Sequence, residues 1–347
     1  DIAEEVRRLY GFNKLPKTLP KRTTSPPEMN DLIELKKTLR EVLASLGANE
    51  VLTYNFVHGK LLENAGQKPE DSYKLRNALS PELQYYRQTL TPSLLDKVHL
   101  NIKAGHDRFV LFEIGKSHNK IHSSTDGLPD ELEMLALVFA DRKPEKNNGS
   151  AYYSARRYLD ELFNKLGIVL EYKPADVKMD YPVTAPFDLK RSAVVTDKAT
   201  STFIGIIGEY KSGVINNFKL PKAAAGFEIG TTHILEAASK KDKSGYVPLA
   251  KYPSTEQDLC LRVEVKVTYK ELFDEVSNLA QSNKPGDVNV EISPVDIYQA
   301  EKDKTHKQIT LRFTLVSYER TLTTDIPNKL LKDIAEGANK SLKAVQV

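Results

Sequence analysis

The chain has 347 residues, 40% of them apolar and 28% charged, with a formal net charge of +3. That length divides into two domains, or three, and no apolar run approaches the ~20 residues that a membrane-spanning helix needs. The lone cysteine, Cys260, excludes an internal disulfide and a multi-cysteine zinc site, and fits a reducing cytoplasm.

Residues 1–10 place Ile2, Val6 and Leu9 on one helical stripe, and Gly11 closes the helix. The chain opens inside this helix, without Met or a secretory leader, and is expected to be the C-terminal piece of a longer protein. Four prolines and the cations Lys14, Lys17, Lys21 and Arg22 make 13–27 a tether with no core of its own. Residues 1–27 therefore read as the end of a preceding domain and a linker. A helix over about 29–46 follows, stopped by Gly47. Leu32, Leu35, Leu39, Val42 and Leu46 recur in it at alternating steps of three and four, a narrow seam of the coiled-coil kind. Such a seam suits packing on the domain's own sheet, or on the helices of a partner subunit.

Strands are predicted at 51–58, 109–114, 132–139, 169–172, 192–195, 203–207 and 225–229. Helices are predicted after the turn Arg87-Gln88-Thr89-Leu90-Thr91-Pro92 and over 152–166, which Gly167 stops. Long loops joining many strands imply an antiparallel sheet with helices to one side, an α+β layout. A charged linker at 238–247 ends this domain, which spans 28–247.

The last hundred residues, 248–347, read strand 258–267, helix 268–282, strands 288–299 and 307–317, helix 324–342 and a short strand 343–347. Thr268 is the expected N-cap of the first helix, and Pro327 suits the first turn of the second. Leu259, Leu261, Val263 and Val265 alternate in the first strand, as do Ile309, Leu311, Phe313 and Leu315 in the third. This is a ferredoxin-like βαββαβ unit. Its helices cover one face of the sheet and leave the other free to hold a single strand of RNA. Alternation puts Cys260, Arg262, Glu264, Gln308, Thr310, Arg312 and Thr314 on the free face. Arg262 and Arg312 are expected to meet there, with Tyr298 near by. An arginine pair beside an aromatic ring suits phosphate pairing and base stacking; the same arginines suit pairing with Glu264 and other carboxylates on a solvated face. The unit carries 14 Lys and Arg against 15 Asp and Glu, a net charge of −1. RNA binding would rest on a local patch, not on bulk attraction.

Other motifs carry no chemistry. Gly115-Lys116-Ser117 lacks the earlier glycine of a phosphate loop, since Val110 stands in its place, and reads as a strand ending at a glycine turn. Gly205 and Gly208 lack the spacing of a dinucleotide loop and read as a hairpin or a close-packed strand. His118 and His122 have metal-ligand spacing on a helix, but their polar surroundings make them solvated loop histidines. Cys260 has no histidine suited to act as its base. No catalytic residue and no metal site is predicted.

With these residues laid out, the chain resembles the C-terminal half of the bacterial-type phenylalanyl-tRNA synthetase beta subunit. The resemblance rests on eight short runs in the family's order. They begin at Ile2-Ala3-Glu4-Glu5-Val6-Arg7-Arg8-Leu9-Tyr10-Gly11-Phe12 and at the seam helix with its following strand. They continue at Arg87-Gln88-Thr89-Leu90, Leu111-Phe112-Glu113-Ile114-Gly115, Ile204-Gly205-Ile206-Ile207-Gly208-Glu209 and Tyr252-Pro253-Ser254. They end at Val295-Asp296-Ile297-Tyr298 and Arg320-Thr321-Leu322-Thr323. The resemblance implies a class II synthetase-like domain without catalysis, followed by an anticodon-binding domain. It implies an α2β2 assembly in which the alpha subunit uses ATP and Mg2+ while this piece binds neither. It makes tRNA(Phe) the expected ligand of the free face, where alternation puts Arg262, Tyr298 and Arg312 and where Lys302 and Arg320 are further candidate contacts, and it implies a subunit interface on Leu32, Leu35, Leu39, Val42 and Leu46. The sequence departs from the family pattern at Gln257, where an arginine is usual, and at Ala300, where a glycine is usual. Those departures leave a second reading open: a stand-alone RNA-binding or interaction module with no role in aminoacylation.

Overall fold

A computed structural model of the chain describes all residues except 27, 123–127, 146–148, 240–248 and 301–302. The chain divides into two compact units, Asp1–Lys243 and Ser244–Val347. Beyond Ser239 the predicted linker lies outside the described residues, as does Lys302.

The first unit runs α1 (Ile2–Tyr10), α2 (Asp31–Ser45), β1 (Asn49–Glu50), β2 (Phe56–Val57), α3 (Gly59–Asn64), β3 (Tyr85–Tyr86), α4 (Thr91–Lys103), β4 (Arg108–Ser117) and β5 (Leu132–Asp141). It continues α5 (Ala151–Lys165), β6 (Leu170–Pro174), β7 (Phe187–Asp197), β8 (Phe203–Tyr210), α6 (Ser212–Phe218), β9 (Ala223–Gly230) and α7 (Thr231–Ser239). Seven strands form one sheet in the order β1-β4-β5-β9-β8-β7-β6. Its pairs are antiparallel except at the edge, where β1 runs parallel to β4.

Helices cover both faces of this sheet, not one. In β5 the residues from 135 to 141 are all buried. Leu135, Leu137 and Phe139 share a core with Leu39 of α2, Leu159 of α5 and Ile234 of α7. Ala136, Val138 and Ala140 share another with Leu94, Leu95 and Val98 of α4 and Val214 and Phe218 of α6. A strand buried on both sides reads as a continuous apolar run, so its pattern does not announce which face the helices take.

Asn30 caps α2, accepting from the amides of Leu32 and Ile33 at 3.1 and 3.2 Å. The helix buries Leu35, Leu39 and Leu43, with Leu32 and Val42 half-buried against the same core and Leu46 half-buried at its end. The true stripe steps by four because α2 lies against a sheet and helices of its own unit. Leu35 and Leu39 are therefore core residues of this unit. Lys36–Glu133 at 2.6 Å and Arg40–Glu50 at 2.7 Å tie the flanks of α2 to the sheet.

Of the predicted strand at 51–58 only Phe56 and Val57 are strand, as β2, and β1 ends before it at Glu50. Thr53 leaves the ladder between them to donate its hydroxyl to Glu113 at 2.7 Å, while Leu52 and Tyr54 are 85% and 74% exposed. Beyond β2, His58 caps α3 instead of continuing the strand.

The second unit is β10 (Thr255–Glu264), α8 (Tyr269–Asn283), β11 (Val288–Tyr298), β12 (His306–Ser317), α9 (Asp325–Leu342) and β13 (Val345–Gln346). Its antiparallel sheet has the order β11-β12-β10-β13, as the ferredoxin-like reading predicts. Leu259, Leu261, Val263, Ile309, Leu311, Phe313 and Leu315 point to α8 and α9 and are buried with Val276, Leu330 and Ile334. Val265 lies past the end of β10 and is 39% exposed, not inward. Thr268 and Glu271 complete a reciprocal capping box at the start of α8.

Candidate nucleic-acid interface

The face of the second sheet opposite its helices is built by strand register. Across β11, β12 and β10 the rows are Glu291, Thr314 and Glu256; Ser293, Arg312 and Asp258; Asp296, Thr310 and Cys260; Tyr298, Gln308 and Arg262. Arg262 and Arg312 stand two rows apart, and do not meet. The expectation failed because alternation gives a residue's face but not its partner, and register depends on the turn lengths. Arg262 instead shares a row with Tyr298, separated by Gln308. These three line a cavity of about 250 Å3 with Asp303, His306 and Lys307.

Each arginine is paired with a carboxylate of its own unit. Arg312 grips Asp258 through Nε at 2.8 Å and Nη2 at 3.0 Å, with Glu256 at 3.7 Å. Arg262 donates to Asp303 at 2.8 Å. Away from these rows, Arg320 clasps Asp287 at 2.9 and 3.3 Å. The hydrogen bonds from Arg312 hold the Asp258 carboxyl below its usual range, and Arg320 does the same for Asp287. Asp303 is held low first by the hydroxyl and amide of Thr305, with Arg262 adding to it. The arginines thus pair with carboxylates of the unit, through Asp303 and Asp258, while the expected partner Glu264 is held by Lys266 at 2.7 Å. Exposed pairs of this kind contribute little to stability. Sequence reading overlooked Gln308 as a site residue, although its place in the alternation of β12 was visible. It overlooked Asp303 because a loop residue carries no alternation signal.

In the first unit the polar groups form an internal network. Arg87 and Glu113 are both buried and paired at 2.8 Å. Arg87 also donates to Thr53 Oγ1 at 2.7 Å and to the Lys116 carbonyl at 2.9 Å. The strand β4 runs straight through Gly115, correcting the predicted turn; a Cβ there would lie 2.6 Å from an Arg87 nitrogen. Gln88 donates to Ser72 at 2.7 Å, and Gln67 donates to Thr89 at 2.8 Å. Glu228, fully buried on β9, accepts from the amides of Leu90 and Thr91 at 2.8 and 3.0 Å and so caps α4 from the sheet face on which that helix packs. Burial pushes its carboxyl up, against the pull of these donors. Gly208 has a packing role: a Cβ would lie 1.9 Å from Ser192 Oγ, in line with the close-packed strand predicted there. His118 is buried against Tyr86, ring centroids 4.7 Å apart, and is not the solvated loop residue expected; His122 is exposed. Among the described residues no group of three His, Cys, Asp or Glu is placed to hold a metal, and no helix is long and apolar enough to cross a membrane.

A unit with a double-covered sheet, followed by an open-faced βαββαβ unit, matches two family models in succession. Residues 15–231 match the phenylalanyl tRNA synthetase beta chain CLM domain. Residues 250–346 match the ferredoxin-fold anticodon binding domain. The chain belongs to the phenylalanyl-tRNA synthetase beta chain family. Phenylalanine–tRNA ligase beta subunits resemble it over nearly its whole length: 24% identity with that of Streptococcus thermophilus over 99% of this chain, 27% with Fusobacterium nucleatum over 93%, and 28% with Carboxydothermus hydrogenoformans over 96%. The chain spans 41%, 39% and 41% of those relatives' own lengths. Two solved pyrrolysyl-tRNA synthetase structures from Desulfitobacterium hafniense align with a TM-score of 0.44 at 15% and 14% identity. They cover 67% of this chain, which spans 71% and 73% of theirs. That likeness is too slight to bear on the assignment.

Proposed function

We propose that this chain is the scaffolding and anticodon-binding portion of a phenylalanine–tRNA ligase beta subunit, acting in the cytoplasm. In this reading the second unit grips the anticodon region of tRNA(Phe) on its open face. The first unit supports an alpha subunit in an α2β2 assembly, and that alpha subunit carries out ATP- and Mg2+-dependent aminoacylation. The observation that carries the reading is the match of both units, in order, to the synthetase beta chain and anticodon-binding family models. Two features of the chain support the division of labour. Helices occupy both faces of the large sheet, and its buried Arg87 and Glu113 are paired with one another. The stand-alone module is less favoured, because a free RNA-binding unit would not need the synthetase-like unit preserved beside it. With Leu35 and Leu39 buried, half-buried Leu46 and exposed Ile33, Leu52 and Tyr54 are the better candidates for contact with alpha.

The test combines exchange and binding. The chain alone should give no phenylalanine-dependent ATP–pyrophosphate exchange, and should bind an anticodon hairpin of tRNA(Phe). Exchange by this chain alone, or no hairpin binding with or without an alpha subunit, defeats the proposal.

A further inference from the structure

Charge along this chain is not evenly spread. Residues 28–347 hold 44 Lys and Arg and 44 Asp and Glu, and are neutral overall. Residues 6–27 hold Arg7, Arg8, Lys14, Lys17, Lys21 and Arg22 and no acidic residue. Arg8 is held by Glu4 and Glu5 at 2.9 and 3.3 Å. Lys14, Lys17, Lys21 and Arg22 have no ion pair with any described carboxylate, and all four are exposed. Lys14 lies 5.3 Å above the exposed ring of Tyr10. From Leu15 to Pro26 the described backbone forms neither helix nor strand, and Pro16 and Pro20 fix φ within it.

We propose that residues 14–22 form a strap that lies along the sugar–phosphate backbone of the bound tRNA, outside its anticodon arm. The inference rests on the RNA-binding reading above and assigns a second, sequence-independent contact to it. First, the open face of the second unit is poor in free positive charge. Glu256, Asp258, Glu264, Glu291 and Asp296 outnumber Arg262 and Arg312 there, and both guanidiniums are paired. Neutralisation of phosphate supplies much of the affinity of nucleic-acid complexes, so it must come from elsewhere. Second, the four unpaired cations ride on an extended, proline-stiffened run. At ~3.1 Å per residue, Lys14 to Arg22 spans about 25 Å; with one charge per ~3.4 Å of axis on each strand, that faces about seven phosphates. Third, a protein partner would be held by clustered apolar anchors, whereas Leu15 and Leu19 stand singly between the cations.

The test compares the assembled ligase with its K14Q/K17Q/K21Q/R22Q variant, using whole tRNA(Phe) and the isolated anticodon hairpin over a salt series. Four lost phosphate contacts should make the slope of log affinity against log salt shallower by about 3 on whole tRNA. Hairpin affinity should stay unchanged. An unchanged slope on whole tRNA overturns the strap, and so does equal weakening on both RNAs. Loss of alpha-subunit association with the slope intact also overturns it and makes the segment a protein contact. If the unmodified ligase fails to bind the hairpin, it is the anticodon reading that falls, and the whole-tRNA slope still judges the strap.

Discussion

Replacing Arg87 with Met removes a guanidinium that serves three acceptors at once. Its Nη1 serves Glu113 and Thr53 at 2.8 and 2.7 Å, and its Nε serves the Lys116 carbonyl at 2.9 Å. Arg87 and Glu113 are each 2% exposed. After the substitution Glu113 retains only Thr53, through its hydroxyl at 2.7 Å and its amide at 3.3 Å. Breaking a buried pair from one side costs about 3–5 kcal/mol, because an uncompensated charge stays inside. The bare carbonyl of Lys116 adds about 1 kcal/mol. For a unit of this size each kcal/mol lowers the melting temperature by about 2–4 °C, so R87M should melt roughly 10 °C or more below the parent. The double variant R87M/E113M removes both charges with little change in volume, and should recover most of the loss. Scanning calorimetry resolves the test, with the transition of the second unit as an internal reference. If R87M lies within ~1 kcal/mol of the parent, or if the double variant is no more stable than the single, the pair does not organise this unit as described.

Two further outcomes follow from the same geometry. Burial holds the His118 imidazole below its usual 6.5, so as pH falls the unfolded chain takes up the proton first. The stabilising contribution is complete above about pH 6.5 and is lost as pH drops through the lower folded value. His118→Phe, which keeps a ring beside Tyr86, should flatten the decline in melting temperature between neutral pH and pH ~5; an unchanged decline would place its origin elsewhere. On the second unit, Arg312→Ala should weaken anticodon-hairpin binding by about 1 kcal/mol or more. Asp258→Asn, which frees the guanidinium, should strengthen it several-fold in an anisotropy titration. Weakening by both would mean that the ion pair, not the arginine, is what the RNA recognises.

Much of the second unit was legible in its sequence. Leu259, Leu261 and Val263 against Arg262 and Glu264 state a period of two with no ambiguity, and Thr268 with Glu271 marks a helix start by its chemistry. What alternation could not supply was register, hence the misplaced meeting of Arg262 and Arg312. In the first unit the losses have a different cause. The segment 51–58 has strand composition throughout, yet Thr53 turns inward because a buried carboxylate 60 residues away needs a donor. His118 looked solvated beside Asn119 and Lys120, yet long-range packing against Tyr86 buries it. The seam of α2 was seen, but its step was taken from a coiled coil, and that put Val42 and Leu46 where Leu43 belongs. Tertiary partners decided each of these, and a local window holds no trace of them.

The short runs Arg87-Gln88-Thr89-Leu90 and Leu111-Phe112-Glu113-Ile114-Gly115 gain a common cause from the structure. Arg87 needs Glu113 for its charge and Gly115 for its space, while Gln88, Thr89 and Leu90 each have a buried polar partner within one irregular stretch. A chain segment with no regular structure lies in a protein interior only when most of its polar groups are met. Helix α4 then starts from that segment with Glu228 at its N-terminus and fills one face of the sheet. Its position is thus fixed by polar contacts at one end and by Leu94, Leu95 and Val98 along its length. The same residues that make the family's runs recognisable hold α4 against one face of the sheet. The second unit inverts this economy. Its charges stay at the surface, in pairs such as Arg312–Asp258, Arg262–Asp303 and Arg320–Asp287.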